Sequence, residues 1–383
     1  MKKSTDFTRD VVALFGIPFD VLGHEAAEQR VLDAMATGRK LFMSTPNLNF
    51  VALCQRDEVF RQSVLISDLS VVDGAGVMLL GKLMGTPMPE RIAGSTLFDN
   101  LVRRAPRALK VFLFGGDRGV AKQAADKLNE RTAADTAVGY LTPGFGDVAS
   151  LTEPGQLDEI RSKRPNFLLV ALGAQKGQRW ILENWDQLPS CVVSHLGATI
   201  NFIAGSVVRA PLRIQRLGLE WAWRIKEEPR LWQRYAGDAW AIGRTLTSQW
   251  LARFIVEPMR LRGGTGAPEV ALLRTADGFQ LQLSGRWRRE DGLRLAHVLE
   301  QATQGGGGHA VVALKQGTRL DPYIVGKLLL LVGHQAATLR TFKLHAEEPA
   351  LLRSLRRQGL RDVPTSVLAS SQGTLAPSFA VPR

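Results

Sequence analysis

Between residues 10 and 205, short apolar runs recur, each followed by a loop rich in Gly, Asn, Asp or Thr and separated from the next by a stretch of helical period. The runs are Leu41 to Ser44, Ser70 to Val72, Lys110 to Phe114, Thr136 to Tyr140, Phe167 to Leu172 and Val192 to Leu196. Strand-length runs alternating with amphipathic helical stretches predict an α/β fold with a Rossmann-like, largely parallel sheet. In such sheets the functional atoms gather at the carboxyl ends of the strands.

Length and charge narrow the setting. At 383 residues the chain is long enough for two globular units. Its formal net charge of +13 implies an anionic partner, whether nucleic acid, acidic lipid headgroups or a phosphorylated substrate, and composition does not choose among them. Cys54 and Cys191 both lie inside apolar runs, which supports neither a disulfide framework nor a zinc site and fits a reducing cytoplasm. The start, MKKSTDFTRDVV, places Asp6, Arg9 and Asp10 where a signal peptide needs an apolar stretch. Apolar runs such as Leu328 to Val332 fall far short of the roughly 20 residues of a spanning helix, so membrane contact is expected to be peripheral.

The α/β core is expected over 1–205. Residues 206–256 change character: a helical pattern carries Arg209, Arg213, Arg216, Arg224, Lys226, Arg230, Arg234, Arg244 and Arg253, with Trp221, Trp223, Trp232, Trp240 and Trp250 among them. Residues 257–268, containing LRGGTGAP, read as a linker. A second unit over 269–363 reads ββαβαβα, opening with a hairpin around Asp277-Gly278, and a tail rich in Ser, Ala and Pro over 364–383 reads as mobile.

The strongest chemical candidate is SVVDGAGV, in which a β-branched strand delivers Asp73 to its end as a general base. On the residues alone, Asp-Gly is equally a plain turn. Thr45 and Asn47 in MSTPNLNF follow another strand and offer a hydroxyl and an amide to sugar hydroxyls, or serve as a cap and a turn residue. Gly115 and Gly116 in FLFGGDRG form a strand-turn-helix start suited to a nucleotide phosphate. The loop LGAQKGQRW adds donors from Gln175, Lys176 and Gln178. No Asp-x-Asp pair in the first domain is suited to hold a metal, so the arginines, Arg209 among them, are the groups expected to neutralise a departing diphosphate. Their mixture with tryptophan suits a helix at a membrane interface, although a single-stranded nucleic-acid surface combines the same residue types.

Taken together, residues 11 to 240 resemble the WecG/TagA/CpsF family, glycosyltransferase family 26. The densest match is AGSVVRAPLRIQRLGLEWAWRIKEEPRLWQRY, Ala204 to Tyr235, with its AG, RAP, GLEW, EP and RY in order. The T-x-N of Thr45 and Asn47, the DG-x-GV of Asp73 to Val77, the R-x-x-G of Arg91 and Gly94, and FLFGG agree in sequence order. The resemblance implies an inverting transfer of an N-acetylmannosamine-type sugar, its uronic acid or a related hexose. The donor is a UDP-sugar, the acceptor is a polyprenyl-diphosphate-linked saccharide, and neither cofactor nor metal is required. It makes Asp73 the base, Thr45, Asn47 and Gln178 substrate-binding residues, and Arg91 an active-site cation. Arg209, Arg224, Arg230 and Arg234 belong to an appendage that closes over the site and attaches the enzyme to the anionic inner face of the cell membrane. No nucleic-acid partner is then expected.

This chain departs from the family pattern in places. Gln175, Gly177 and Gln178 replace Pro, Gln and Glu, Asn201 replaces the Asp of FDF, and Thr96 stands where R-x-x-G-x-D has Asp. Three acidic positions, at 96, 178 and 201, are thereby neutral, which detaches the donor's identity from the family pattern. The second unit resembles a STAS domain in its element order and in Asp321 at a helix start. Asp321-Pro-Tyr-Ile lacks that family's phosphorylatable Ser, leaving a docking or regulatory role with a protein partner. The rival reading is a non-catalytic membrane- or nucleic-acid-binding scaffold, in which Asp73 would be without effect.

Overall fold

The structure is a computed structural model that describes residues 4–86, 88–144, 146–216, 218–251, 266–304 and 308–363. Most of the expected linker, the expected tail, Arg253 and the glycines at 305–307 lie outside the described residues.

The chain opens with β1 (Val11–Leu14) and β2 (Ile17–Asp20), followed by α1 (His24–Thr37), β3 (Leu41–Ser44), α2 (Leu48–Arg56), α3 (Glu58–Leu65) and β4 (Leu69–Ser70). Then come α4 (Ala75–Leu83), α5 (Gly94–Arg104), β5 (Val111–Gly115), α6 (Val120–Thr132), β6 (Ala137–Leu141), α7 (Pro154–Ser162), β7 (Phe167–Ala171), α8 (Ala174–Asn184), β8 (Val192–His195) and α9 (Thr199–Ala204). β3 to β8 form one parallel sheet in the order β4-β3-β8-β7-β5-β6, the Rossmann-like layer that the alternation predicts. Its strands are wholly buried from β3 through β8 except at the β6 edge, because helices cover both faces. The run Ser70 to Val72 shortens to Leu69–Ser70 in the ladder. Beyond it the Val71 N–H still donates to Ser44 O and the Asp73 N–H to Pro46 O, so the chain tracks β3 up to Asp73.

The N-terminal hairpin has no counterpart among the expected strands. Its turn is Phe15-Gly16, with φ of 51° and 79°, rather than the Asn-Gly or Asp-Gly pair that marks such turns, and all residues of both strands are buried, which erases the two-residue alternation. A bidentate pair holds it: Arg9 Nε donates to Asp20 Oδ1 at 2.9 Å and Nη2 to Oδ2 at 2.5 Å, with both residues almost fully buried. Arg9 Nη1 also donates to Ser67 O, and Asp20 Oδ2 accepts the Ser70 N–H at 2.7 Å. The pair is therefore fastened to the strand that leads to Asp73.

After α9 the Arg/Trp segment forms α10 (Leu212–Arg216), α11 (Glu220–Glu227) and α12 (Leu231–Leu251). α12 returns across α2, burying Ile242 in the cluster that includes Phe50, Val77 and Leu80, while the buried Asp238 pairs with Arg56 at 3.4 Å.

The second unit follows the expected ββαβαβα order, with a two-residue strand pair added. β9 (Glu269–Thr275) and β10 (Gly278–Ser284) form the hairpin, and β11 (Arg286–Trp287) and a 3-10 turn precede α13 (Gly292–Thr303). Then follow β12 (His309–Leu314), β13 (Arg319–Leu320), α14 (Pro322–Ala337), β14 (Phe342–Ala346) and α15 (Pro349–Arg357), with a sheet order β14-β12-β10-β9. Asp321 caps α14, accepting the N–H groups of Tyr323 and Ile324 at 3.0 Å.

α14 is buried on nearly every face because it has two partners, its own sheet and the N-terminal hairpin with α3. Phe7, Val11, Ala13 and Leu65 share one apolar cluster with Leu281, Leu328, Leu331 and Phe342. Lys327, also buried, donates to Phe7 O and Arg9 O at 2.7 and 2.5 Å. Arg61 Nη1 donates to Gly359 O at 3.1 Å, and Gln249 of α12 donates to Arg357 O at 2.6 Å. Three separate elements of the first unit are thus tied to the second.

Asp20→Ala strands the Arg9 guanidinium without its counter-charge, an effect of about 3–5 kcal/mol. Calorimetry should show a fall in Tm on the order of 5–10 °C with both units unfolding together. An unchanged Tm would mean that the pair contributes nothing net.

Candidate active site

The carboxyl ends of β3 and β4 lie side by side, and the residues that follow them converge. Thr45 is buried directly after β3, and Asn47 caps α2, its Oδ1 accepting the Phe50 N–H at 3.2 Å. The capping role is thus real, and it leaves the Asn47 amide group available to a ligand. Asp73 stands half-buried just before α4. The Gly94 N–H at the start of α5 faces its carboxylate. Gly94 permits a close approach: a Cβ there would lie 2.6 Å from Leu196 Cδ2 and 3.0 Å from Thr45 Cγ2, so both side chains would have to shift. That contact brings α5 against the ends of β3 and β8. The Ile92 N–H donates to Val72 O at 2.7 Å, which lays Arg91 beside the base.

Burial, reinforced by the like charge of Glu220, pushes the Asp73 carboxyl up to about 7, against the pull of Arg91, the Gly94 N–H and Arg209. A carboxylate poised near neutrality is suited to take a proton and later release it.

Arg209 reaches the same region from the start of the Arg/Trp segment. It donates to Thr96 Oγ1 at 2.5 Å, pairs with Asp99 at 3.4 Å and lies 4.0 Å from Glu220 Oε1. Thr96 occupies the position where the resemblance expects Asp, so the hydroxyl orients Arg209 without cancelling its charge. Arg209 and Arg224 both lie over the Phe202 ring, at 5.9 and 5.6 Å, and each keeps a buried Nε without a hydrogen-bond partner. Two guanidiniums with donors to spare on one aromatic platform can bind a diphosphate. Among the described residues no cluster of three or more His, Cys, Asp or Glu is placed to hold a metal ion.

Other expected residues are placed elsewhere. Gln178 is fully buried, with its Nε2 donating to Ser44 Oγ at 3.2 Å, so it supports the strand behind Thr45 and does not line the site. The expected loop around it is α8, whose apolar face turns Trp180 inward to stack on Phe114 at 4.2 Å. Gly177 fits there because the His195 ring fills the space, 2.3 Å from where a Cβ would stand. Gln175 bonds Asp57, and Lys176 bonds Gly146 O. Gly115 pairs with β7, and the Gly116 N–H already donates to Ala171 O at 2.9 Å, so this turn does not offer that amide to a phosphate. Arg230 and Arg234 are exposed, Arg234 stacking on Tyr235 at 5.1 Å. Glu220, inside the GLEW run, received no role from the sequence; its only local signal was an acid among many bases.

The raised carboxyl has a cost to stability. Unfolded Asp73 ionises near pH 4, whereas the folded carboxyl holds its proton to about 7. Stability is therefore lost as pH rises between those values. Asp73→Asn should raise Tm by a few degrees at pH 8 and by almost nothing near pH 4. Equal shifts at both pH values would place the carboxyl in ordinary solvent.

The chain matches the Glycosyl transferase WecG/TagA/CpsF family over residues 12–254. Proteins named N-acetylglucosaminyldiphosphoundecaprenol N-acetyl-beta-D-mannosaminyltransferase are among its relatives. That of Bacillus spizizenii is 29% identical over 198 residues, covering 51% of this chain and 74% of the relative. The Bacillus subtilis protein is 28% identical over 190 residues, covering 49% and 72%. The Staphylococcus aureus protein (strain NCTC 8325) is 25% identical over 216 residues, covering 56% and 83%.

Proposed function

This chain belongs to the WecG/TagA/CpsF family of glycosyl transferases, and from that premise we propose that it moves a sugar from a UDP-sugar to a polyprenyl-diphosphate-linked saccharide with inversion, in bacterial surface-polysaccharide assembly. The sugar is an N-acetylmannosamine-type hexose, its uronic acid or a related hexose. The relatives' names support the acceptor class, since theirs is a diphosphoundecaprenol-linked N-acetylglucosamine. The observation that carries the chemistry is Asp73, half-buried, held near neutrality and flanked by Arg91 and Arg209.

In this reading Asp73 takes the proton of the acceptor hydroxyl as that oxygen attacks the anomeric carbon. The new O–C bond forms while the bond from that carbon to the diphosphate breaks, and its electron pair leaves with UDP. Arg209 and Arg224 neutralise the departing diphosphate without a metal, while Thr45 and the Asn47 amide orient the sugars. A panel of UDP-sugars with a polyprenyl-diphosphate acceptor tests this. Transfer from at least one hexosamine donor should survive a chelator and rise with pH through about 7 as Asp73 ionises, and Asp73→Asn should lower kcat by about 10²–10⁴. Comparable turnover in that variant removes Asp73 as the base, and loss on chelation removes the metal-free mechanism.

Membrane attachment is assigned to the Arg/Trp segment. No helix among the described residues is long and apolar enough to cross a membrane. Trp221, Trp232 and Trp240 are 51%, 57% and 70% exposed, with Arg213, Arg230 and Arg234 exposed on the same segment. Aromatic rings beside cations suit the inner, anionic leaflet. Replacing Trp232 and Trp240 together by Ser should lower partitioning onto anionic vesicles by about tenfold or more while leaving Tm unchanged; undiminished binding would move the contact elsewhere. The second unit is read as a docking module for a protein partner.

A further inference from the structure

Glu220 is the first residue of α11, two positions after Gly218, and Gly218 is pressed against the segment that carries the base. Gly218 has φ of +73°, and a Cβ there would stand 2.4 Å from the Ala75 Cβ, two residues beyond Asp73. Only a glycine allows this approach. The Glu220 carboxylate is consequently delivered to the rim of the site, partly covered, with Arg209 Nε 4.0 Å away. Arg209 is itself divided among Thr96, Asp99 and Glu220, so it compensates Glu220 only in part.

We propose that Glu220 is a positioning residue for the transfer reaction: seated by the approach of Gly218 to Ala75 and facing Arg209, it brings a second carboxylate to the site of Asp73. The proposal rests on the reading of Asp73 as base. Among the described residues, the charged groups acting on Asp73 are Glu220 from α11, Arg91 from the segment leading into α5, and Arg209 from the start of the appendage, with Asp99 of α5 behind Arg209. Glu220 is the like charge in this set and opposes both arginines. The physical consequence is that the same contact, Gly218 on Ala75, holds a carboxylate and the Arg209 guanidinium together at the site, so that Asp73 binds a proton more strongly and is a better base for a sugar hydroxyl.

The experiment compares wild type with Glu220→Gln, Glu220→Asp and Gly218→Val in the full-length chain. Two readouts are followed: direct titration of Asp73 by carboxyl NMR, and the pH dependence of kcat/KM. Glu220→Gln should lower the Asp73 midpoint by about half a pH unit or more and move the acid limb of the profile by the same amount. Plateau kcat should fall a few-fold as the base weakens, with KM changed less. Glu220→Asp should restore much of the shift, because charge rather than shape is responsible. Gly218→Val, which blocks the seating, should reproduce the shift with Glu220 present. An unmoved Asp73 midpoint in folded Glu220→Gln overturns the proposal, as does a Glu220→Asp variant that behaves like Gln. If the midpoint shifts while wild type transfers no sugar, the electrostatic coupling stands and the assigned reaction fails.

Discussion

The buried Arg9–Asp20 pair is the contact on which the rest of the architecture depends. An ion pair out of water survives only if its remaining donors and acceptors are used, and here they are. Arg9 also reaches Ser67 O, Asp20 receives the Ser70 N–H, and the Arg9 carbonyl receives the ammonium of Lys327. One pair thus joins the N-terminal hairpin, the edge strand that delivers Asp73, and the central helix of the second unit. The second unit is consequently packed against the framework that carries Asp73. Burial of α14 on both sides follows from the same arrangement, since each face has its own apolar partner.

At the site, electrostatics and packing set opposing demands. A base must be ionisable, yet it must stand where water is scarce enough for its charge to matter. Asp73, proposed as the base, meets both conditions: its backbone is held to β3 and its carboxylate is flanked by Arg91, Arg209 and Glu220 while being largely withdrawn from water. The arginine-rich segment is divided accordingly. Arg209 and Arg224 face inward over Phe202, while Trp232, Trp240, Arg230 and Arg234 face solvent. A single segment so presents guanidinium groups inward and aromatic and basic side chains outward, the division that the proposed leaving-group and membrane roles require.

The departures from the family pattern acquire physical reasons in this frame. Thr96 keeps the orientation of Arg209 while removing a counter-charge, and Gly177 makes room for the His195 ring. Gln178 is a buried donor to Ser44 that holds the strand behind Thr45. These changes alter support and charge around the site while leaving Asp73, Thr45 and Asn47 in place.

The amino-acid sequence by itself determined the order of elements, the parallel α/β layer, the family, and the placing of Asp73, Thr45 and Asn47 at strand ends. Each of these is written in local periodicity, turn chemistry or a contiguous motif. It could not determine that Gln178 points into the core, that the Gly116 amide is already engaged, that Glu220 comes to the Asp73 region, or that Lys327 binds carbonyls more than three hundred residues away. Those outcomes depend on which face of a helix meets which neighbour. A periodic pattern announces that a face is buried without naming its partner, and only the tertiary structure, by bringing buried side chains such as Arg9, Lys327 and Gln178 to their partners, makes that choice.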